Sequence, residues 1–361
     1  MTPVRVAVVV DSDAWGGAEV WARRVLEHLP AGVRTSLVVS GALASRFAVR
    51  SALERRFVVP LARHRDVATE IRAALATLAP DVVHVNLVDP TSNRAALEAA
   101  LAQAPTVAAL HLPGRAADLA GLRRRYGQLA AAIAPSEAVA AQLVEIGVPR
   151  ERVTRVRHGV PLPASAAQPP GRSPLVIGAV GRLTAQKGFD LLVAATARLH
   201  ERGRPLTVVI AGEGRDEAAL RRQAAGLPVR FVGFCSDVPA LLRRIDLFCL
   251  PSRSEALSLA LLEAAAHGLP CVSTAVGDTA AALSGAVLTT PPEDVEALTA
   301  GLDRLLDDAA LRRTLGARAR QRALRDFDVQ RMANHVAGVW LRAGSGRREH
   351  LIDLGEHVRD G

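Results

Sequence analysis

Three short stretches of this 361-residue sequence combine residue types whose chemistry belongs together. In Gly181-Arg-Leu-Thr-Ala-Gln-Lys-Gly188, two cations share one glycine-bounded loop that opens a helix at Phe189. Arg182 offers a planar fork and Lys187 a point charge, and beside a helix N-terminus the pair suits a diphosphate. The glycine–lysine order and the Ser/Thr of a Walker A loop are missing, so it is a different phosphate loop. Lys187 is also the only lysine; the other 44 of the 45 basic residues are arginines. A GC-rich genome explains that bias. The single survivor points to a place where a compact ammonium is needed and a guanidinium does not fit.

The second stretch is Pro251-Ser-Arg-Ser-Glu-Ala-Leu-Ser-Leu-Ala-Leu-Leu-Glu-Ala-Ala-Ala-His-Gly-Leu-Pro270, where seven residues separate Glu255 from Glu263. Glu255 falls in a loop and Glu263 on the helix that follows. A carboxylate ahead of a helix and another inside it can reach opposite ends of a ligand lying across the helix N-terminus. The amides near Leu257, Ser258 and Leu259 would then face its phosphates. Two isolated glutamates would be read as surface acids stabilising a positive helix end; these flanks favour the ligand. The third stretch, Gly16-Gly17-Ala18-Glu19, lies between a strand and a helix, where glycine lets the backbone approach an anion. An ordinary tight turn is an equal reading of that pair alone.

Other signals carry less. Asp11-Ser-Asp13 has a D-x-D spacing but no companion ligands, so it reads as a turn and cap. Gly212-Glu-Gly214 lacks the third glycine of a dinucleotide fingerprint. His84, His111, His158 and His267 have no metal-ligand spacing. Cys235, Cys249 and Cys271 are odd in number and far apart, which suits buried thiols in a reducing compartment.

The elements that must position these residues follow from a repeating alternation. Short β-branched runs (Val4–Val10, Thr35–Ser40, Val82–Asn86, Thr106–His111, Ile133–Pro135, Val153–Arg157) alternate with Ala/Leu/Arg helical segments such as 18–29, 67–78 and 137–146. A Pro-rich stretch around 161–174 reads as a linker. The alternation then restarts at 175–180, 206–211, 229–232, 247–250 and 271–274, with helices at 189–202 and 259–267 and three more from 295 to 343. This is an α/β pattern of two Rossmann-like, doubly wound domains facing across a cleft, with ligands beyond the carboxyl ends of the strands. The expected domains are 1–165, a linker at 166–174, 175–327, a helix at 328–343 packing back toward the first domain, and a flexible tail at 344–361.

Composition bounds the rest. At 49% hydrophobic the chain is not disordered, and no apolar run approaches the ~18 residues of a membrane span. The net charge is +9, yet aromatics are only 3%, which disfavours nucleic acid as a partner. Residues 1–165 hold 20 arginines against 14 acids, and Arg46, Arg50, Arg55, Arg56, Arg63, Arg65, Arg123, Arg124 and Arg125 would suit an anionic acceptor or membrane surface, or simply be solvated.

Taken in order, the three stretches resemble the retaining glycosyltransferases of the two-Rossmann GT-B architecture, specifically glycosyltransferase family 4, over about residues 3 to 340. The E-x7-E block, with Pro251-Ser252 before it and Gly268-Leu269-Pro270 after it, is the most specific marker. The resemblance implies that Arg182 and Lys187 neutralise the diphosphate of a nucleotide-sugar donor. It implies that Glu263 holds the ribose, Glu255 the sugar hydroxyls, and His111, in Leu110-His-Leu-Pro113, a position near the sugar. Gly16, Gly17 and Gly181 would lie by the phosphates, and Val232-Gly233-Phe234 by the base. The chain departs from the family at Ala256-Leu257-Ser258, at His158-Gly-Val-Pro161 and at Gly277-Asp-Thr279; the last leaves one donor contact open.

The expected reaction is sugar transfer with retention to a saccharide, lipid-linked or small-molecule hydroxyl, in cell-surface polysaccharide, glycolipid or glycoconjugate synthesis. No metal and no cofactor are expected, since the nucleotide-sugar is a substrate and the two cations stabilise the leaving group. A cytoplasmic enzyme is expected, with peripheral contact at the inner membrane face through the first domain left open. The alternatives are a sugar-nucleotide epimerase of the same architecture and a non-catalytic sugar-nucleotide-binding protein.

Overall fold

The computed structural model describes residues 3–10, 12–47, 53–62, 65–114, 118–167 and 173–356, with side chains as far as residue 345. Asp11, Arg50, Arg63, most of the expected linker (168–172) and the end of the expected tail (357–361) lie outside the described residues. The chain divides into two compact units: unit 1 is Met1–Gly159 with Val329–Gly361, and unit 2 is Val160–Asp328.

Unit 1 has strands β1 (Val4–Val10), β2 (Val33–Ser40), β3 (Leu53–Val59), β4 (Val82–Leu87), β5 (Thr106–Leu110), β6 (Ala131–Ala134) and β7 (Val153–Arg155). Between them run α1 (Gly17–Glu27), α2 (Gly41–Ala44), α3 (Ala68–Leu78), α4 (Arg94–Leu101), α5 (Leu119–Tyr126) and α6 (Glu137–Glu145). Unit 2 has β8 (Leu175–Val180), β9 (Leu206–Ala211), β10 (Val229–Phe231), β11 (Leu247–Leu250), β12 (Cys271–Thr274) and β13 (Leu288–Thr290). Its helices are α7 (Phe189–Glu201), α8 (Glu217–Gln223), α9 (Val238–Leu242), α10 (Leu259–Ala266), α11 (Thr279–Ala282), α12 (Val295–Asp307) and α13 (Ala309–Asp326), and α14 (Val329–Glu356) returns to unit 1.

Both sheets are parallel throughout, in the orders β3-β2-β1-β4-β5-β6-β7 and β10-β9-β8-β11-β12-β13. In each, the strand order reverses between the first and fourth strands, which puts a crevice at the carboxyl ends of β1 and β4 and of β8 and β11. Strands covered on both faces must be apolar on both faces. The run Val6 to Val10 accordingly has no residue above 2% exposed, and Ile177, Val208, Leu247 and Val272 form the middle of the second core at 0%. Burying each such side chain contributes about 1.5–3 kcal/mol.

Three features differ from the sequence expectation. β3 and β13 are additional strands; β3 carries Glu54, Arg55 and Arg56 and is a sheet edge, where charge rather than alternation is the rule. Residues 160–165 group with unit 2, because Val160 N–H donates to Phe327 O at 2.8 Å and Arg320 donates to Pro163 O at 2.8 Å. The final helix passes through the expected breakpoint at Gly344 and runs to Glu356. A Cβ on Gly344 would stand 3.3 Å from Val4 and Val82, so this glycine lets α14 lie close on β1 and β4 rather than ending it.

Candidate functional site

In unit 2, the loops leaving successive strands are stitched together at the carboxyl end of the sheet. The β8–α7 loop starts with Gly181, whose N–H donates to Ala211 O at 3.0 Å, and buried Leu183 donates to Glu213 O at 2.9 Å. Those bonds fix it to the β9–α8 loop. On its other side, Arg253 N–H donates to Gln186 O at 2.8 Å and Gln186 Nε2 donates to Ser254 O at 2.9 Å, tying it to the β11–α10 loop. Gly188, at φ +63°, makes that contact possible: a Cβ there would lie 2.1 Å from Pro251 O. A single 3-10 turn over Ala185–Lys187 fits between these anchors.

Arg253 is the rivet of this junction. Its fork takes both oxygens of Asp190 at 2.7 Å each, reaches Glu293 at 2.5 Å and donates to Ala185 O at 2.8 Å. The Arg253 hydrogen bonds are the main reason the Asp190 carboxyl is held below its ordinary range. A cavity of about 240 Å³ opens beside it, lined by Thr184, Phe189, Asp190, Asp216, Gln223 and Arg253 among others.

The sequence-predicted residues gather on this frame. Lys187 Nζ lies 2.5 Å from Glu255 Oε1, which also accepts from Ser252 Oγ at 2.8 Å. Glu255 is buried and the Lys187 side chain is 17% exposed, so the pair is largely shielded from water. Ser252 is held in turn, its carbonyl accepting from Thr274 Oγ1 at 2.6 Å. The Arg182 side chain is half-buried and makes no hydrogen bond or ion pair among the described residues. Leu257, Ser258 and Leu259 are buried at the start of α10, where Ser258 is the N-cap, accepting from Leu261 N–H at 3.5 Å. Glu263 sits half-buried on the same helix. At Gly277 φ is +53° and a Cβ would stand 2.1 Å from Glu255 O, so the β12–α11 loop crosses the Glu255 backbone closely. Val232 and Phe234 are exposed, at 52% and 39%, with Gly233 between them at φ +71°.

In unit 1, Gly16 precedes α1 in extended backbone and Gly17 is exposed at its start. Extended backbone is open to any residue, so Gly16 is not required by its conformation. His111 follows β5 rather than ending it, and its ring is buried edge-on against Trp21, 4.9 Å between centroids. Its Nε2 lies 2.7 Å from Asn86 Oδ1, and Asn86 Nδ2 donates to Ala18 O at 3.3 Å. That orients the amide and so puts the proton on Nε2, leaving Nδ1 as a buried acceptor without a partner among the described residues. His111 is held neutral, its pKa well below the ordinary value through burial and then through His158 and His84. His84 is also buried, its pKa lowered to about 3, and Trp340 Nε1 donates to its Nδ1 at 3.2 Å.

Among the described residues, the arginines expected on one face of the first domain fall in separate places. Arg55 and Arg56 lie on the β3 edge and Arg46 just before it, whereas Arg123 to Arg125 are on α5, which joins β5 to β6. Four strand spacings separate β3 from β5, roughly 19 Å. Arg125 is buried against Glu98 and Asp118, and Arg123 donates to Glu145 O. Among the described residues, no group of three or more His, Cys, Asp or Glu side chains is placed to hold a metal ion, and no helix is long and apolar enough to cross a membrane.

Sequence reasoning missed Ser252, Asn86 and the Asp190–Arg253–Glu293 group. Ser252 had a signal in its place between Pro251 and Glu255; the others meet only through the fold.

Two parallel sheets in this strand order define a double-Rossmann protein. Residues 15–163 match the model of "Glycosyltransferase Family 4" and residues 174–308 that of "Glycosyl transferases group 1". The chain belongs to glycosyltransferase family 4. It is 37% identical over 207 residues to glycogen synthase of Mycobacterium tuberculosis, covering 55% of this chain and 50% of that one. It is 36% identical over 153 residues to a GDP-mannose-dependent alpha-(1-6)-phosphatidylinositol dimannoside mannosyltransferase of the same organism, covering 41% and 38%. The chain thus spans about half the length, or less, of these curated relatives. Among solved structures, Anabaena HepE in complex with UDP and glucose superposes with a TM-score of 0.74 at 20% identity, covering 93% of this chain and 98% of that one. Sucrose-phosphate synthase from Thermosynechococcus elongatus gives 0.74 at 18%, covering 97% and 100%.

Proposed function

We propose that the chain is a retaining glycosyltransferase that moves a sugar from a nucleoside diphosphate-sugar to an acceptor hydroxyl. The observation that carries this reading is the junction in unit 2, where the Lys187–Glu255–Ser252 cluster and Arg182, unpaired among the described residues, share the loops at the carboxyl end of the sheet. Breaking the sugar–phosphate bond builds negative charge on the departing diphosphate. Arg182, Lys187 and the first amides of α10 are preorganised cations and dipoles for that charge, the arrangement that lowers such a barrier most. Glu255 is oriented by Ser252 and Lys187 toward the donor sugar's hydroxyls, and Glu263 takes the ribose. Val232 and Phe234 offer the base an exposed apolar ledge beside Gly233. In unit 1 the buried Nδ1 of His111 is an acceptor in want of a hydroxyl donor.

The acceptor attacks on the face from which the diphosphate leaves, and the diphosphate takes its proton. Two organic cations stand in for a divalent ion, so transfer is metal-independent. Incubation with a panel of UDP-, GDP- and ADP-sugars, with and without EDTA, tests the reading. The expected result is release of nucleoside diphosphate, undiminished by EDTA, and a product anomeric proton with the donor's configuration. An inverted anomer would end the retaining assignment, and an altered sugar still joined to its nucleotide would make the chain an epimerase. Binding without turnover would make it a sugar-nucleotide-binding protein.

A further inference from the structure

In the sheet of unit 2, β9 lies between β8 and β10. The loop leaving β9 therefore runs between the loop that carries Arg182 and the one that carries Val232 to Phe234. Two strand spacings, roughly 10 Å, separate those outer loops at their roots. The loop between them is Gly212-Glu213-Gly214, too short of glycine to be a dinucleotide fingerprint and so far without a role. Both of its glycines are points of close approach. Gly212 has φ +146° and a Cβ on it would stand 1.8 Å from Gly181 O, while a Cβ on Gly214 would stand 2.3 Å from Leu183 O.

Pressed against the phosphate loop in this way, the Glu213 carbonyl accepts from Leu183 N–H at 2.9 Å. On the other side Gly212 N–H donates to Gly233 O at 2.8 Å, and the Glu213 carboxylate accepts from Phe234 N–H at 3.3 Å. Glu213 thus holds one loop with its main chain and the other with its side chain. The carboxylate is exposed, makes no ion pair and accepts from no other group among the described residues. Its one bond is charge-assisted, the stronger kind.

We infer that Glu213 is a positioning residue for the donor nucleotide. By holding the Phe234 amide it keeps the exposed ledge of Val232 and Phe234 at a fixed spacing from Arg182 and Lys187, so that base and diphosphate are gripped together. This rests on the transferase reading above, which puts the base on that ledge. A ledge left free must be ordered when the ligand binds, and that cost falls on ligands that carry a base and spares those that do not. The bond from Leu183 goes to the main chain and survives any change of the Glu213 side chain, so the two grips separate experimentally.

The full chain, Glu213→Ala and Glu213→Gln are titrated calorimetrically with UDP, GDP and ADP and with inorganic pyrophosphate. Glutamine keeps a carbonyl oxygen that can accept from Phe234 N–H but loses the charge. Glu213→Ala is expected to weaken binding of whichever nucleoside diphosphate the chain takes by about fivefold, the loss of one exposed hydrogen bond, and to leave pyrophosphate within twofold. Glu213→Gln is expected to stay within twofold of the parent for both. Hydrogen exchange at the Phe234 amide of the unliganded chain should quicken in the alanine variant and return in the glutamine variant. Pyrophosphate weakened as much as the nucleotide, a glutamine variant as weak as the alanine one, or a Phe234 amide that exchanges alike in all three forms overturns the inference. Equal nucleotide binding by all three forms refutes the inference alone and leaves the transferase reading standing. A parent chain that binds none of the three nucleotides refutes that reading, and the inference with it.

Discussion

Arg182 and Lys187 carry the same charge in the same loop, yet the structure gives them different neighbours and hence different roles. Lys187 is bonded to a buried carboxylate, so Lys187→Ala removes a leaving-group cation and also strands Glu255 with one partner fewer. Arg182 has no side-chain partner to strand among the described residues. Both alanine variants are expected to lower kcat/KM for transfer by about 10²–10³, some 2.7–4 kcal/mol. Only Lys187→Ala should also lower unfolding stability, by up to about 3–5 kcal/mol, the cost of breaking a buried pair from one side. Steady-state kinetics and urea unfolding on the two variants check this; equal stability losses would contradict the separate roles. Lys187 is legible in the sequence because composition isolates it. Its tie to Glu255, across 68 residues, is not, since nothing local records which loops a sheet will bring together.

At the scale of elements, strands β8 and β11 begin and end where their runs without a polar side chain do, because a parallel strand covered on both faces favours such a run. β3 escapes that logic by being an edge, and β6 is an alanine run made a strand by its neighbours. The glutamate spacing marks the β11–α10 loop in advance. Arg253 within it looks, in sequence, like one more of many arginines. Its bidentate grip on Asp190 joins the loop bearing Glu255 to the helix that follows Lys187. Arg253→Lys keeps the charge but cannot fork. The expected outcome is a donor KM raised by roughly tenfold with a smaller change in kcat, the signature of lost preorganisation rather than lost chemistry. A KM unchanged within twofold would show that the rivet is structural only.

For the molecule as a whole, the sequence composition predicts a basic surface but not its distribution, and the fold breaks the expected arginine face into separate groups. The buried histidines of unit 1 have a consequence for the stability of the entire chain. His84, with its pKa down at about 3, and His111, well below its ordinary value, stay neutral when folded, while in the unfolded chain both take up protons as pH falls through about 6.5. Stability is therefore full above about pH 6.5 and is lost as pH falls toward the folded values, by at most about 1.4 kcal/mol per pH unit for each ring. Urea unfolding between pH 7 and pH 5 is expected to show this decline, and His84→Gln to reduce its slope by about half. A flat profile would mean that neither imidazole is held neutral.

Unit 1 is also assembled from two distant pieces of sequence, with Trp340 of α14 donating to His84 in the middle of β4. Unit 2, by contrast, is contiguous from Val160 to Asp328. During translation, residues 1–159 leave the ribosome long before α14 exists, and the surface of β1 and β4 that it covers stays wet until then. The half of the chain made first is thus the half that finishes folding last. Any nascent or prematurely terminated product lacking α14 would present that apolar surface to chaperones and proteases.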